Sequence, residues 1–507
     1  MPFKKLGNEQ AYRSGIVSST IFNVLGKALL FLSTLLVTYY FGTTQHTDLL
    51  FFLQNTQIQV CGFILVINMA VIIPRGIYLQ HNNDKATSIA FYNVIFLLYF
   101  AIGVILLSVF CINPVWFTGI ISKFSTPFLQ SHQTVLLFLP VAILLNFMYQ
   151  LMNDIFSSFR YFTLPVLINS LYAFILIAVL FLFNKTFGGD SYAIAILAAL
   201  LLCIAVQFYM LRRLGWHFSL NKKLVSVKTW WFIGYSQLGQ AFTLASSFLP
   251  FYLLSGETQG ALSAYNITLQ LISLPSVFAI SQFSVVAGIK FTEYFARNDW
   301  AEINATFKKS IVFLLYAIFP IAALLALFGE DMLKRFIHFS SAESLRLATG
   351  FILLLALTIP VNVINTVMAR LLMATQKIKI GFVNQALQNA LLVVLSFFLF
   401  KKMGAWGLPI ATLIMQAVGL LSSFIIARLY LPQIDYLYVV KWLLLILLLN
   451  GILFFTLYFI KRQFYMSLPI IIVFSATYLL LIFFAAFKIK PMKNIVNIPF
   501  RFLKALK

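Results

Sequence analysis

A chain of 507 residues that is 62% hydrophobic and only 10% charged has too little polar surface for a soluble domain, so it reads as a polytopic membrane protein. Its net charge of +23 does not point to nucleic acid, because the basic residues fall between apolar runs and not on one polar face. Cys61, Cys111 and Cys203 stand singly in apolar context without CxxC or metal-ligand spacing; they read as inert thiols, and no cofactor is expected.

Apolar runs long enough for about 30 Å of hydrocarbon predict an all-α fold of fourteen membrane helices. They fall at 13–41, 49–73, 86–111, 133–156, 164–184, 191–211, 229–254, 262–289, 306–328, 346–371, 380–400, 405–427, 439–460 and 467–487. The basic N-terminus leads into a run too long for a signal peptide and lacks a small-residue cleavage site. In span 1, Ala28 to Phe41 is almost wholly apolar, but Ser19, Asn23 and Lys27 recur every fourth residue and share one helical face. Lys27 is about fourteen residues from either end of Arg13 to Gly42, roughly 21 Å of helix. An ammonium at that depth costs about 2.5–3.5 kcal/mol on insertion scales, so this face reads as the wall of a polar cavity. The alternative is a helix that enters the bilayer near Val24 and leaves Lys27 as an interfacial anchor.

Span 2 carries Gln54, Asn55, Gln57, Gln59 and Asn68, and span 7 carries Ser236, Gln237, Gln240, Thr243, Ser246 and Ser247. Span 8 adds Asn266, Thr268, Gln270, Ser273, Ser276, Ser281 and Gln282, with Pro275 as a hinge or a static bend. Spans 13 and 14 are almost pure Leu, Ile and Phe apart from Asn450. Polar groups do not face lipid cheaply, so spans 1, 2, 7 and 8 are expected to line a shared cavity. The competing reading is that these groups glue helices together.

With the N-terminus placed in the cytoplasm, 26 Lys and Arg fall on that side and 9 on the other, with Lys27 in the bilayer completing the 36. That bias predicts that both termini are cytoplasmic. Met152 to Asn169 and Met368 to Asn384 are loosely alike and about 215 residues apart, which suggests a repeat. The expected domains are a six-helix lobe over 1–215, a second over 216–432, and two further helices with a basic tail over 433–507. Parallel repeats of this kind bind substrate between the halves in other transporters.

Several short stretches resemble the MurJ/MviN-type flippases of the multidrug/oligosaccharidyl-lipid/polysaccharide exporter superfamily. They are Val24-Leu25-Gly26 to Phe41-Gly42, Thr47-Asp48 with Phe51-Phe52, Ser157 to Phe162 with Pro165, and Leu274-Pro275-Ser276 followed by Phe291 to Asn298. The resemblance spans essentially the whole chain. It implies a V-shaped pair of six-helix lobes that flips a polyprenyl-diphosphate-linked glycan by alternating access, with the last two helices forming a groove for the lipid tail. Peptidoglycan-precursor flippases of this type carry cavity arginines in spans 1, 2 and 8. The corresponding positions here are Asn23, a site near Val60, and Gln270, while a second span-1 arginine falls close to Lys27. The resemblance therefore leaves lipid II and a polysaccharide repeat unit both open as substrate.

A diphosphate leaving water needs cations or hydrogen-bond donors around it. Lys27 is expected to contact the phosphates, and Asn23, Gln54, Asn55, Gln237, Gln240 and Gln270 to bond sugar or phosphate. Arg75, Lys290 and Arg370 end cytoplasmic helices, as headgroup guides or as ordinary anchors. Asp48 and Glu257 occupy matching external links, as a gate, an ion-coupling pair or helix caps. The expected partners are the lipid-linked oligosaccharide and membrane lipids, with no nucleic acid; the protein is expected to act as a monomer driven by a coupling ion or the membrane potential. A cation-coupled multidrug exporter of the same superfamily is the alternative function. A membrane glycosyltransferase is disfavoured, because the external links are short and show no paired carboxylates beyond Glu330-Asp331.

Overall fold

Backbone amides have no water partners in lipid, so long apolar runs fold as helices; among the described residues there is no strand. The computed structural model describes residues 12–82, 85–159, 161, 163–219, 227–276, 282–375, 377–463 and the single residues 473, 475, 477 and 478. Helix α1 is Tyr12–Phe41 and α2 is Gln45–Ile67, continued through a π turn, Asn68–Ile72, into α3, Ile73–Asn82. Then come α4 Lys85–Ile112, the short α5 Pro114–Ile121, α6 Thr126–Ser131 and α7 Gln133–Leu136, and α8 Phe138–Ser158. Helices α9 Thr163–Phe187, α10 Ser191–Arg213, α11 Val227–Leu254, α12 Ala261–Ser276 and α13 Gln282–Ala296 follow. The chain continues as α14 Trp300–Phe336, α15 Ala342–Ala356, α16 Thr358–Ala374, α17 Ile378–Met403, α18 Gly407–Tyr430 and α19 Tyr436–Gln463. Among the described residues, nine segments are long and apolar enough to cross a membrane. Each expected span from 13–41 to 439–460 overlaps at least one of these helices, whereas 467–487 lies outside the described residues apart from four single positions.

The chain divides into two compact units, Met1–Ile267 with Phe336–Leu345, and Thr268–Arg335 with Arg346–Lys507. In the first, α8 is the central helix: α4, α10 and α2 pack around it and bury Phe147, Leu151, Ile155 and Phe156 completely. Helix α1 lies along α9, where Gly26 lets the backbones approach and Ser170 donates to the Phe22 carbonyl at 2.9 Å. Helix α11 packs on α2. In the second unit, α16 packs on α13 and α18, and α17 packs on α18. Helix α17 leaves Leu387, Val394, Phe397 and Phe398 exposed, as a lipid-facing surface requires.

The local breaks have sequence causes. Expected span 4 is two helices broken at Leu137 and expected span 10 is two broken at Leu357. Each break is followed three positions later by a proline, Pro140 or Pro360, whose missing N–H removes a helical bond. A backbone repeat also emerges. Gly188 and Gly404, 216 positions apart, both take positive φ (+54° and +59°) and each opens a single 3-10 turn before the next helix. The ends of α8 and α16 match as well. Phe159 N–H bonds Ile155 O and Tyr161 N–H bonds Phe156 O, while Thr375 N–H bonds Leu371 O and Lys377 N–H bonds Leu372 O.

Expected span 8 is represented by α12 and α13. Pro275 is buried in the last turn of α12, and residues 277–281, which would define any bend there, lie outside the described residues.

Candidate functional site

The first unit is tied together where α1 turns into α2. Gly42, at φ +67°, ends α1, and the Thr44 hydroxyl caps α2 by accepting the Thr47 N–H at 3.2 Å. One turn on, Asp48 is buried and acts as a cap for a different helix, α12. Its Oδ2 accepts the Gly260 N–H at 2.7 Å, and its Oδ1 accepts both the N–H (2.7 Å) and the hydroxyl (2.5 Å) of Ser263. An anion on the first N–H groups of a helix is favoured by orphan donors and by the helix dipole together. Beside it, the Thr43 hydroxyl accepts the Ser340 N–H at 2.9 Å and lies 3.2 Å from the Ser344 hydroxyl. Gly260 fits because it has φ +86° and because a Cβ there would sit 2.8 Å from the Thr43 carbonyl oxygen.

Away from this junction, polar side chains of α1, α2 and α11 pair across helices. Asn55 Nδ2 donates to Asn266 Oδ1 at 3.0 Å, and the Ser247 hydroxyl donates to Gln59 Oε1 at 2.7 Å. Tyr192 donates to Gln54 Oε1 at 2.8 Å, and Thr34 of α1 bonds the same phenol.

Further along, the pairing stops. The Gln237 carboxamide is buried at both atoms without a hydrogen-bond partner among the described residues, and Asn23 and Gln240 are half-buried. Lys27 is exposed and makes no ion pair among the described residues. It lies on the helical face of Thr34 and Thr38, seven and eleven residues on, both of which are buried. Helices α1 and α11 contain no acidic residue, and the one in α2, Asp48, is bonded to N–H groups. Among the described residues the ammonium is therefore uncompensated, and a cation of this kind suits an anionic ligand.

Of the residues singled out in the sequence, Lys27, Asn23, Gln54, Asn55, Gln237, Gln240, Asp48 and Glu257 fall in the first unit. Gln270 and Pro275 belong to the second. Asp48 meets the start of α12 directly, whereas Glu257 is half-buried in the α11–α12 link, its carboxylate without a hydrogen bond or ion pair among the described residues. Ser19, Ser236, Ser276, Ser281 and Gln282 have side chains outside the described ones. Arg75 stacks over Tyr78 at 5.2 Å, and Lys290 and Arg370 are exposed. Thr43, Gly260, Ser263, Ser340, Ser344 and Tyr192 were not foreseen, since their roles depend on partners up to 301 residues away. Among the described residues no group of three or more His, Cys, Asp or Glu is placed to hold a metal. A groove of about 460 Å³ lined by Phe96, Met152, Leu201, Phe208 and Arg212 is apolar and separate from these side chains.

Comparison with known proteins adds family evidence. A family model described as lipid II flippase MurJ matches residues 69–475. No curated protein sequence matches the chain. A solved structure of the lipid II flippase MurJ in an inward closed conformation is similar at 15% identity and a TM-score of 0.77, over 93% of this chain and 99% of that one. An inward-facing multidrug resistance MATE family transporter of the MOP superfamily is similar at 11% identity and TM-score 0.65, over 80% of this chain and 94% of that one. A MOP superfamily transporter from Pyrococcus furiosus follows at 14% identity and TM-score 0.59, over 83% of this chain and 97% of that one.

Proposed function

The chain belongs to the lipid II flippase MurJ family, and from that premise we propose that it flips a polyprenyl-diphosphate-linked glycan across the bacterial cytoplasmic membrane by alternating access. It is a multi-pass transporter and not an enzyme. The glycan is lipid II or a polysaccharide repeat unit. The observation that carries this reading is Lys27, on a polar face of a membrane helix and uncompensated among the described residues, which calls for an anionic ligand.

In this proposal Lys27 contacts the diphosphate, while Asn23, Gln237, Gln240 and Gln270 bond phosphate or sugar. Gln54 and Asn55 already hold Tyr192 and Asn266 and would exchange these partners for glycan hydroxyls. The excess of 26 basic residues over 9 supports cytoplasmic termini and puts the Asp48 junction at the external face, where it serves as a gate. Glu257, beside that junction in sequence and unpaired, is the remaining acidic group for gating or ion coupling, and Pro275 is the proposed hinge. The 216-residue spacing of Gly188 and Gly404 supports reading 1–215 and 216–432 as two six-helix repeats, with 433–507 appended. A coupling ion or the membrane potential, worth about 2.3 kcal/mol per charge per 100 mV, supplies the drive.

The test is depletion of the protein followed by identification of the polyprenyl-diphosphate intermediate that builds up. Lipid II retained on the cytoplasmic face would make this a peptidoglycan flippase with a headgroup site rebuilt around Lys27. A retained O-unit or capsule precursor with normal lipid II would make it a polysaccharide-unit flippase. No retained intermediate of either kind would refute the flippase reading.

A further inference from the structure

Apart from the candidate site, side chains from three helices of the first unit form one hydrogen-bonded chain. Tyr99 of α4 donates its hydroxyl to Asn68 Oδ1 at 2.6 Å, and Asn68 donates its Nδ2 to Asp154 Oδ2 of α8 at 2.6 Å. Tyr99 and Asn68 are fully buried and Asp154 is half-buried.

No Lys, Arg or His pairs with this carboxylate among the described residues. The titratable groups facing it are the phenols of Tyr99 and Tyr92 on α4. On α3, Arg75 stacks over Tyr78; on α10, Gln207 is bonded to Asn153 and to the Tyr149 carbonyl; on α9, Asn169 accepts from Tyr149. A carboxylate withdrawn from water is costly unless it is paired, and one amide does not replace a cation.

Asn68 is also where the backbone departs from α-helical form. Its N–H bonds Leu65 O, three residues back, and its carbonyl accepts the Ile73 N–H, five residues on. Such wide π turns recur at functional positions. We propose that Asp154, Asn68 and Tyr99 form a proton-binding site that sets the shape of the turn Asn68–Ile72.

The hydrogen-bond directions supply the mechanism. An ionised Asp154 only accepts, so Asn68 must present Nδ2 to it and keep Oδ1 for Tyr99. A proton bound on Oδ2, the oxygen that faces Asn68, turns that oxygen into a donor, and the acceptor at hand is Asn68 Oδ1. The amide then rotates by half a turn and Nδ2 faces Tyr99, whose hydroxyl turns to accept. One proton is taken up and no covalent bond to carbon changes. The rotating side chain is the one whose backbone holds both irregular bonds of the turn. The motion passes to α3 and on to α4, because Ser88 at the start of α4 bonds the Gly76 carbonyl of α3 at 2.9 Å.

The experiment is hydrogen–deuterium exchange of the segment 65–76 against pH, corrected for intrinsic exchange, in the full-length protein in lipid nanodiscs. Wild type is expected to change protection by about tenfold per pH unit across the window in which one proton binds. Asp154→Asn is expected to show no pH response there, and Tyr99→Phe, which keeps the carboxylate, a response with a displaced midpoint. A pH-independent wild type, an unchanged response in Asp154→Asn, or an undisplaced midpoint in Tyr99→Phe would overturn the proposal. So would protection that follows sodium concentration at fixed pH, which would assign the site to a metal cation.

Discussion

Asp48 and Ser263 are 215 residues apart in sequence, yet the N–H and the hydroxyl of Ser263 both end on the same carboxylate oxygen, at 2.7 and 2.5 Å. Asn at position 48 keeps one acceptor but turns an NH2 group toward a backbone donor. The lost bond and the unsatisfied donor are expected to cost about 1–3 kcal/mol, with about 0.3–1 kcal/mol more from removing the charge at the start of α12. Ser263→Ala removes one bond and leaves the backbone donors paired, so its loss should be the smaller. Thermal unfolding of the two variants in detergent gives the comparison; equal stability of Asp48→Asn and wild type would refute the structural role of the carboxylate.

The Thr43 and Ser344 hydroxyls, 3.2 Å apart, offer a way to lock the same junction. Cysteines at these two positions are close enough for a disulfide with little backbone movement. The double variant Thr43→Cys, Ser344→Cys is expected to crosslink in membranes, to lose transport when oxidised and to regain it with reductant. Each single variant controls for Cys111, the exposed native thiol. Undiminished transport by the fully oxidised double variant would show that the junction does not open during the cycle.

The fold was legible because hydrocarbon thickness dictates run length, and the first thirteen runs each overlap a helix, while the short α5 and α6 between the third and fourth runs were not foreseen. Breaks such as Leu137 and Leu357 were not foreseen, although Pro140 and Pro360 stood in the sequence, because periodicity is blind to a single missing bond. The repeat was visible only as a loose likeness of Met152–Asn169 to Met368–Asn384, whereas the backbone carries it in the glycine φ angles at 188 and 404. Asp48 stood out as an acid after the first span. Its partners did not, since nothing local marks Gly260 or Ser263 as donors to a residue more than 200 positions away.

At the start of α19, Asp435 pairs with Lys308 at 2.6 Å and accepts the Tyr438 N–H at 3.1 Å. The bond from Lys308 holds this carboxyl below the usual carboxylate range. A lowered folded value means stability that is present above the ordinary value of about 3.9 and is lost as pH falls through the folded one. The group is exposed, so screening limits the ion pair to below about 1 kcal/mol. Unfolding midpoints of wild type and Asp435→Asn should differ by a constant small amount from pH 5 to 8 and converge in stronger acid. A difference that grew on acidification would contradict the pairing.

Lys27 decides whether the polar face of α1 handles an anion. It has no acidic partner among the described residues, so its replacement strands no carboxylate there, and Lys27→Gln is expected to fold and accumulate as wild type does. A charge-assisted bond to a diphosphate is worth about 1.5–3 kcal/mol, which converts to a transport loss of roughly tenfold to a hundredfold. Lys27→Arg keeps the charge and should retain most activity. Gln237→Ala removes a neutral donor and should cost less than Lys27→Gln. Retention of the lipid-linked precursor in cells that carry each variant as sole copy provides the readout. Equal activity of Lys27→Gln and wild type would remove the ammonium from the headgroup site and leave it an interfacial anchor, whereas loss in Lys27→Gln with recovery in Lys27→Arg would identify charge as the property the substrate needs.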